Sequence, residues 1–160
     1  MKQLWAPWRL EYIKSADEDG GCVFCDAAAG ADDAERLVVH RGPHTIVLLN
    51  KFPYASGHFM VAPVRHVGDY GELTDDEVLE LHRFASSGMG ALAQLYGPQG
   101  YNVGLNLGRV AGAGIVDHVH LHVVPRWAGD TNFMPVLADV KVLPEHLQET
   151  WKKLAESWPA

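Results

Sequence analysis

The segment from His118 to Val124 reads His-Val-His-Leu-His-Val-Val, so that three histidines alternate with apolar residues. Strict alternation is typical of a half-buried β-strand, because successive side chains of a strand point to opposite faces. We expect the imidazoles to share one face, with neighbours about 6.5–7 Å apart, while the apolar side chains pack on a core. Imidazole can act as a nucleophile or as a metal ligand. The segment therefore predicts a strand that carries a reactive site or a metal site.

The connector just before this segment is rich in glycine, from Asn106 and Gly108 to the run Ala111-Gly112-Ala113-Gly114. Glycines let backbone N–H groups approach an anion closely. Such a connector can also be a tight link between antiparallel strands, and three histidines on one face can also bind zinc. The two features together favour a phosphate site with a histidine nucleophile, and hence phosphoryl or nucleotidyl transfer.

The chain has 160 residues and a net charge of −7. These values predict one domain over residues 1–160 and argue against a general nucleic-acid-binding protein, although a small phosphate-bearing ligand is compatible with them. No apolar run approaches the roughly 18 residues of a membrane span, and the start of the chain does not read as a signal peptide. Its two cysteines are too few for a disulfide framework. We expect a cytoplasmic protein that binds neither nucleic acid nor membranes.

Hydrophobic patterns divide the chain into two groups of strands with a long helix between them. The strands are expected within 37–63 and 101–125, and residues 1–17 are expected to form an aromatic-rich arm. A final helix should open at Pro144. This order predicts an α+β domain, in which helices pack mainly on one face of an antiparallel sheet.

The long helix has a clear start and a clear end. Thr74 and Glu77 have the spacing of a capping box, and glycine and proline follow Tyr96. Gly88 and Gly90 weaken the helix, but they can allow it to pack closely against another element.

Cys22 and Cys25 have the spacing at which two thiolates can reach one zinc ion. Redox chemistry of the thioredoxin type and a pair of merely buried cysteines are alternatives, but no βαβ pattern surrounds the pair. Zinc needs two more ligands, and the candidates are histidines: His40, His44, His58, His66 and one member of the triple segment.

The sequence resembles the histidine triad (HIT) family, whose motif is His-φ-His-φ-His-φ-φ, where φ is an apolar residue. Residues 118–124 match every position of that motif. The resemblance extends over most of the chain, through 22–25, 49–50, 57–66, 106–108, 111–112 and 125–126. It implies the HIT α+β fold with an antiparallel sheet of about five strands, one long helix and a C-terminal helix. It also implies a homodimer with a nucleotide bound against the sheet.

The ends of the chain resemble the bacterial branch of the family that cleaves diadenosine tetraphosphate, at residues 4–9, 115–117 and 125–133. The resemblance implies an enzyme that cleaves dinucleoside polyphosphates at the α-phosphate through a nucleotidyl-histidine, with water or phosphate as acceptor. One alternative is a nucleoside phosphoramidase acting on nucleotide-amine conjugates. An alternative from another class is a zinc-stabilised nucleotide-binding protein with little activity.

The resemblance also assigns roles to individual histidines. It makes His120 the nucleophile, His122 a hydrogen-bond donor to the α-phosphate oxygens, and His118 their neighbour in the catalytic strand. Asn106 and the backbone of Gly112, Ala113 and Gly114 would complete the phosphate cradle. Many relatives have a polar glutamine or serine shortly before the motif, and Ala113 and Gly114 lack such side chains, so backbone contacts are expected there.

Further positions match residues that hold the rest of the substrate. Asn50 matches a position that holds the ribose hydroxyls, and His58 matches a histidine close to the triad, although a packing role is equally compatible with His58. Two basic residues are the best placed for the distal phosphates, Arg126 and Lys141, although lone charges are more often solvated. A loop that could close over the second nucleotide contains Asn132 and Phe133.

Family members with the same cysteine spacing complete a zinc site with two histidines. The resemblance therefore implies zinc on four residues: Cys22, Cys25, His66 and His118. Four protein ligands leave no position for substrate or water, so this zinc would be structural.

Overall fold

A computed structural model describes residues 21–130 and 145–159. Within these residues lie three α-helices, five strands and two short 3-10 helices, Tyr70–Glu72 and Arg109–Ala111. The helices are α1 (Val23–Ala29), α2 (Asp75–Tyr96) and α3 (Leu147–Glu156). The strands are β1 (Val38–Arg41), β2 (Thr45–Leu49), β3 (Phe59–Pro63), β4 (Gly100–Leu105) and β5 (Leu121–Arg126). The expected arm at 1–17 lies outside the described residues, and in the described part no helix is long and apolar enough to cross a membrane.

The five strands form one antiparallel sheet in the order β1-β2-β3-β5-β4. Strands β4 and β5 are joined by the glycine-rich connector and pair with each other in antiparallel fashion, as the sequence predicted. The predicted α+β class is confirmed. The sheet places β5 in its interior, between β3 and β4, so the histidine segment leads into a strand with a neighbour on each side.

The two faces of the sheet are covered unequally. Helices α2 and α3 pack on one face, over a core that includes Phe59, Val61, Leu121 and Val123. On the other face, the short helix α1 covers β1 to β3 through a second cluster that includes Phe24. Among the residues that the structure describes, the short helix α1 does not reach β4 and β5, where the same face forms a trough.

Helix α2 begins as its sequence predicted. Thr74 is the N-cap, and its capping box with Glu77 is formed in both directions. A Cβ atom built on Gly88 would lie 2.3 Å from the ring of Phe59, so glycine lets the helix lie directly on β3. A Cβ atom built on Gly90 would have no neighbour within 4 Å. Of these two glycines, only Gly88 therefore makes the expected close packing.

Two element boundaries differ from the prediction. Strand β5 begins at Leu121, after His118 and His120. The ladder cannot extend further back, because β3 ends at Pro63, whose nitrogen carries no hydrogen. The last helix begins at Leu147 with His146 as its N-cap, not at Pro144, which lies outside the described residues.

Candidate functional site

The three histidines of the triad lie on the open side of the sheet although two of them precede β5. The ring of Phe24 lies 5.1 Å from that of His118 and 4.8 Å from that of His120, measured between centroids. The rings of His120 and His122 are 4.8 Å apart. Leu121 and Val123 point into the opposite core. The alternation therefore separates imidazoles from core residues, as expected, even before the regular strand begins.

His120 is held in one tautomer. Its Nδ1 lies 2.8 Å from the carbonyl oxygen of His118, and a carbonyl oxygen can only accept, so Nδ1 carries the hydrogen. The side chain is 5% exposed, and burial lowers the pKa of this imidazole. His120 is therefore neutral near pH 7, with an unprotonated Nε2 whose lone pair can attack an electrophile.

His122 is held in the opposite tautomer by His58. The backbone N–H of Tyr54 donates to Nδ1 of His58 at 3.1 Å, so the hydrogen of His58 is on Nε2. That Nε2 lies 3.0 Å from Nδ1 of His122, which must accept. The proton of neutral His122 is therefore on Nε2, where it can be donated to an anionic oxygen.

Neighbouring imidazoles with opposite tautomers are suited to nucleophilic attack on a phosphoryl group. One nitrogen supplies an electron pair, and the other supplies a hydrogen-bond donor for the oxygens that become more negative. His58, which is fully buried, selects the tautomer of His122 and so acts through it.

Cys22, Cys25, His66 and His118 are brought together beside the triad, with their ligand atoms within 4.8 Å of one another. Nδ1 of His118 lies 3.2 Å from Sγ of Cys22 and 3.6 Å from Sγ of Cys25, and Nδ1 of His66 lies 3.2 Å from Sγ of Cys25. Ligands around a tetrahedral zinc ion would be about 3.5 Å apart, given its usual bond lengths. The four residues could therefore hold a metal ion, and two thiols with two imidazoles suit zinc.

Backbone contacts prepare His118 for this role. Its Nε2 lies 2.8 Å from the carbonyl oxygen of Pro63, so Nε2 carries the hydrogen and Nδ1 faces the thiols with its lone pair. A ring nitrogen held by a carbonyl is the usual support of a metal-binding histidine. Burial, with smaller effects of Cys22 and Asp26, raises the pKa of the Cys25 thiol to about 11 in the metal-free protein.

The connector between β4 and β5 contains the short helix Arg109–Ala111, flanked by two glycines with positive φ. Gly108 has φ 84° and Gly112 has φ 94°, a region that residues with a side chain rarely adopt. Ala113 is buried, and Ile115 packs on the cluster that contains Phe24. The connector therefore returns to the histidine side of the sheet, and the conformation at Gly108 and Gly112 explains the glycines there.

The open trough has a volume of about 440 Å³ and runs along β4 and β5 from His122. Gly104 faces His122 across the two strands, and a Cβ atom built there would meet nothing within 4 Å, so glycine keeps the floor low. The residues that line the trough are Tyr54, Asn102, Val103, Gly104, Leu105, Asn106, His122, Val124, Arg126 and Asp130.

Two predicted substrate-binding residues are placed less directly. Oδ1 of Asn50 accepts the backbone N–H of Phe52 at 2.8 Å, and its Nδ2 is 3.6 Å from the sulfur of Met60. It is not among the residues of the trough. Arg126 lies at the far end of the trough. The other predicted residues of the distal site, Lys141, Asn132 and Phe133, lie outside the described residues.

Three polar residues of the trough were not predicted from the sequence: Tyr54, Asn102 and Asp130. Asn102 could have been found from the sequence, because polar or small residues alternate with apolar ones along this strand. The alternation places Asn102 on the same face as Gly104 and Asn106. Nothing in the sequence pattern indicated Tyr54 or Asp130, since both enter the trough from turns.

The HIT domain family matches residues 32–129 of the chain. The AP-4-A phosphorylase of Mycobacterium tuberculosis is 39% identical over 165 residues, which cover 99% of this chain and 85% of that protein. An adenosine 5′-monophosphoramidase of Schizosaccharomyces pombe is 30% identical over 105 residues, covering 66% of this chain and 74% of that protein. The crystal structure of a zinc-bound histidine triad family protein from Mycobacterium smegmatis superimposes with a TM-score of 0.68 and 25% identity, covering 86% of this chain and 92% of that one.

The hydrogen bonds predict the protonated nitrogen of each imidazole. We expect nitrogen-15 NMR at pH 7.5 to find hydrogen on Nδ1 of His120 but on Nε2 of His122. Replacing His58 with phenylalanine keeps a ring in place but removes the donor to His122. The His122 ring should then lose its single tautomer, while His120 keeps its own. An unchanged His122 spectrum in this variant would contradict the assignment.

Proposed function

The chain belongs to the histidine triad (HIT) family, and we propose that it is a nucleotidyltransferase that cleaves diadenosine tetraphosphate with phosphate as acceptor. The observation that carries the chemistry is the pair of opposite tautomers on His120 and His122. The likeness to a phosphorylase over nearly the whole chain favours phosphate over water as acceptor. The products would be ADP and ATP.

In the first step, Nε2 of His120 attacks the α-phosphorus of one adenylate. The Nε2–P bond forms while the bond to the bridging oxygen breaks, and ATP leaves with the electron pair of that bond. The imidazole gains positive charge, which the carbonyl of His118 stabilises through Nδ1–H. Nε2–H of His122 donates to a non-bridging oxygen of the α-phosphate, where negative charge develops.

In the second step, an oxygen of inorganic phosphate attacks the same phosphorus from the opposite side. The Nε2–P bond breaks and its electron pair returns to the imidazole, which releases ADP and restores neutral His120. Splitting the displacement in two allows one histidine to serve both halves. Asn106, which lines the trough together with His122, and the backbone N–H groups of Gly112, Ala113 and Gly114 would form the phosphate cradle. Asn50 would hold the ribose.

The reaction predicts products that differ between acceptors. Incubation with diadenosine tetraphosphate and phosphate should yield ADP and ATP in equal amounts, identified by mass, with no turnover when phosphate is omitted. AMP with ATP would instead identify a hydrolase. Turnover of adenosine phosphoramidate with inert diadenosine tetraphosphate would establish the phosphoramidase, which the relative in Schizosaccharomyces pombe supports.

Substitutions separate the two catalytic roles. Replacing His120 with glycine removes the nucleophile and should lower kcat by at least about 10³-fold, while nucleotide affinity persists. Replacing His122 with phenylalanine should cost about 10²–10³-fold, as for other oxyanion donors. His122→Gln is the matched control, because its amide can still donate. Wild-type turnover in His120→Gly would show a binding protein with another catalyst in the preparation.

We also propose that the metal held by Cys22, Cys25, His66 and His118 is zinc. The donor set, the spacing of the ligand atoms and the zinc-bound relative support it. Bound zinc would act structurally, by tying α1 to the residues that precede β5. No disulfide joins the two cysteines, as metal binding requires, and reduced cysteines persist in the cytoplasm, so we infer a cytoplasmic protein, which cell fractionation would test.

Metal analysis tests the zinc proposal. Freshly purified protein should contain about one zinc per chain, and Cys25→Ala should lose it together with thermal stability. A chelator should lower the melting temperature of the wild type but not of Cys25→Ala. Val23→Ala, an exposed position of the same helix, is the control. Much less than one zinc in the untreated wild type would contradict the assignment.

We further propose that the protein is a homodimer formed through the edge of the sheet at β4. Val103 on this edge is 46% exposed, and two apolar residues of the connector, Leu107 and Val110, are exposed as well. Exposed edge strands invite pairing with another chain. Sedimentation velocity should give twice the chain mass of 17.6 kDa, and Val103→Lys should shift it toward the monomer. A wild type that sediments at the single-chain mass would contradict the proposal.

A further inference from the structure

The far end of the trough holds a polar cluster that the proposed reaction does not use. Nε and Nη2 of Arg126 donate to the two carboxylate oxygens of Asp130, at 2.5 Å and 2.9 Å. Nη1 of the same guanidinium donates to Oδ1 of Asn102 at 2.8 Å. The backbone N–H of Trp127 also donates to Asp130, at 3.3 Å. Arg126, Asp130 and Asn102 all line the trough.

The charge of this cluster does not suit a phosphate group. Among the described residues that line the trough, Arg126 is the only lysine or arginine, and its charge is paired with Asp130. The bidentate pair has no net charge, and the carboxylate would repel an approaching phosphate. The expectation that Arg126 binds distal phosphates therefore has little electrostatic support.

The position of the cluster is set by the strand. Arg126 lies four residues beyond His122 on β5, which corresponds to about 13 Å at the usual rise of a strand. Asn102 faces Val124 in the register, so the cluster sits beyond the low floor at Gly104. A group bound there would be separated from the α-phosphate at His120 by more than one phosphate.

We propose that Asn102, Arg126 and Asp130 form the subsite for the distal nucleoside of a dinucleoside polyphosphate. This rests on the proposed function. A nucleoside is uncharged and presents hydroxyl donors and ring acceptors, which match a carboxylate, an amide and guanidinium N–H groups. The carboxylate of Asp130 accepts from ribose hydroxyls, and Val124 supplies an apolar surface beside the base. The phosphates between the two nucleosides span the floor at Gly104.

Two ligands with the same number of phosphates test this subsite. Diadenosine tetraphosphate carries a distal adenosine, and adenosine 5′-tetraphosphate ends in a phosphate instead. Affinities are measured by calorimetry in the His120→Gly background, where turnover does not interfere. We expect the dinucleotide to bind about 10-fold more tightly, which corresponds to one good hydrogen bond to a charged group. Asp130→Ala should remove this preference by weakening the dinucleotide, while adenosine 5′-tetraphosphate binds as tightly or more tightly because Arg126 loses its neutralising partner.

The controls separate the subsite from general electrostatics. Glu156→Ala removes one negative charge from an exposed position of α3 and should leave both affinities unchanged. Equal weakening of both ligands by Asp130→Ala, tighter binding of both, or no preference in the parent protein would overturn the proposal. Binding is measured without turnover, so a wild type that fails to make ADP and ATP would refute the proposed reaction and leave the subsite result valid.

Discussion

The site depends on two hydrogen bonds made by one residue, His118. Its ring Nε2 donates to the carbonyl of Pro63, at the end of β3, and its own carbonyl accepts from Nδ1 of His120. The first bond turns Nδ1 toward the cysteines, and the second leaves Nε2 of His120 unprotonated. One residue thus joins the candidate metal site to the proposed nucleophile, and both bonds use carbonyl groups that the end of a β-ladder leaves without a partner strand.

The same segment explains why the site is on this face and at this end of the sheet. Pro63 has no N–H, so the pairing of β3 with β5 does not continue beyond Val61 and Leu121, and residues 118–120 run past the end of β3 without a regular ladder. Helix α1 covers the neighbouring strands and brings both cysteines to His118, but it is too short to cover β4 and β5. The candidate metal site and the trough therefore lie side by side, with the triad between them.

Burial and electrostatics differ along the trough. Near the triad, neutral imidazoles in fixed tautomers meet the reacting phosphate, since burial lowers the pKa of His118 and His120. At the far end, Arg126 and Asp130 are paired and partly exposed. The trough thus offers directed donors where charge develops in the reaction and a charge-balanced cluster where a neutral group could rest. This gradient follows β5, whose alternate residues face the same side.

The sequence by itself determined the class of fold and the family, because these follow from local patterns: alternation in 118–124, the capping box at Thr74, and the spacing of Cys22 and Cys25. Other features needed the tertiary structure. The tautomer of His122 depends on His58, which lies just before β3 and is distant in sequence, and the tautomer of His120 depends on the path of the backbone at His118. The neutralisation of Arg126 depends on a turn that returns Asp130 to it, and the start of β5 depends on where its neighbours end. Such features arise from contacts between elements, which a local pattern does not contain.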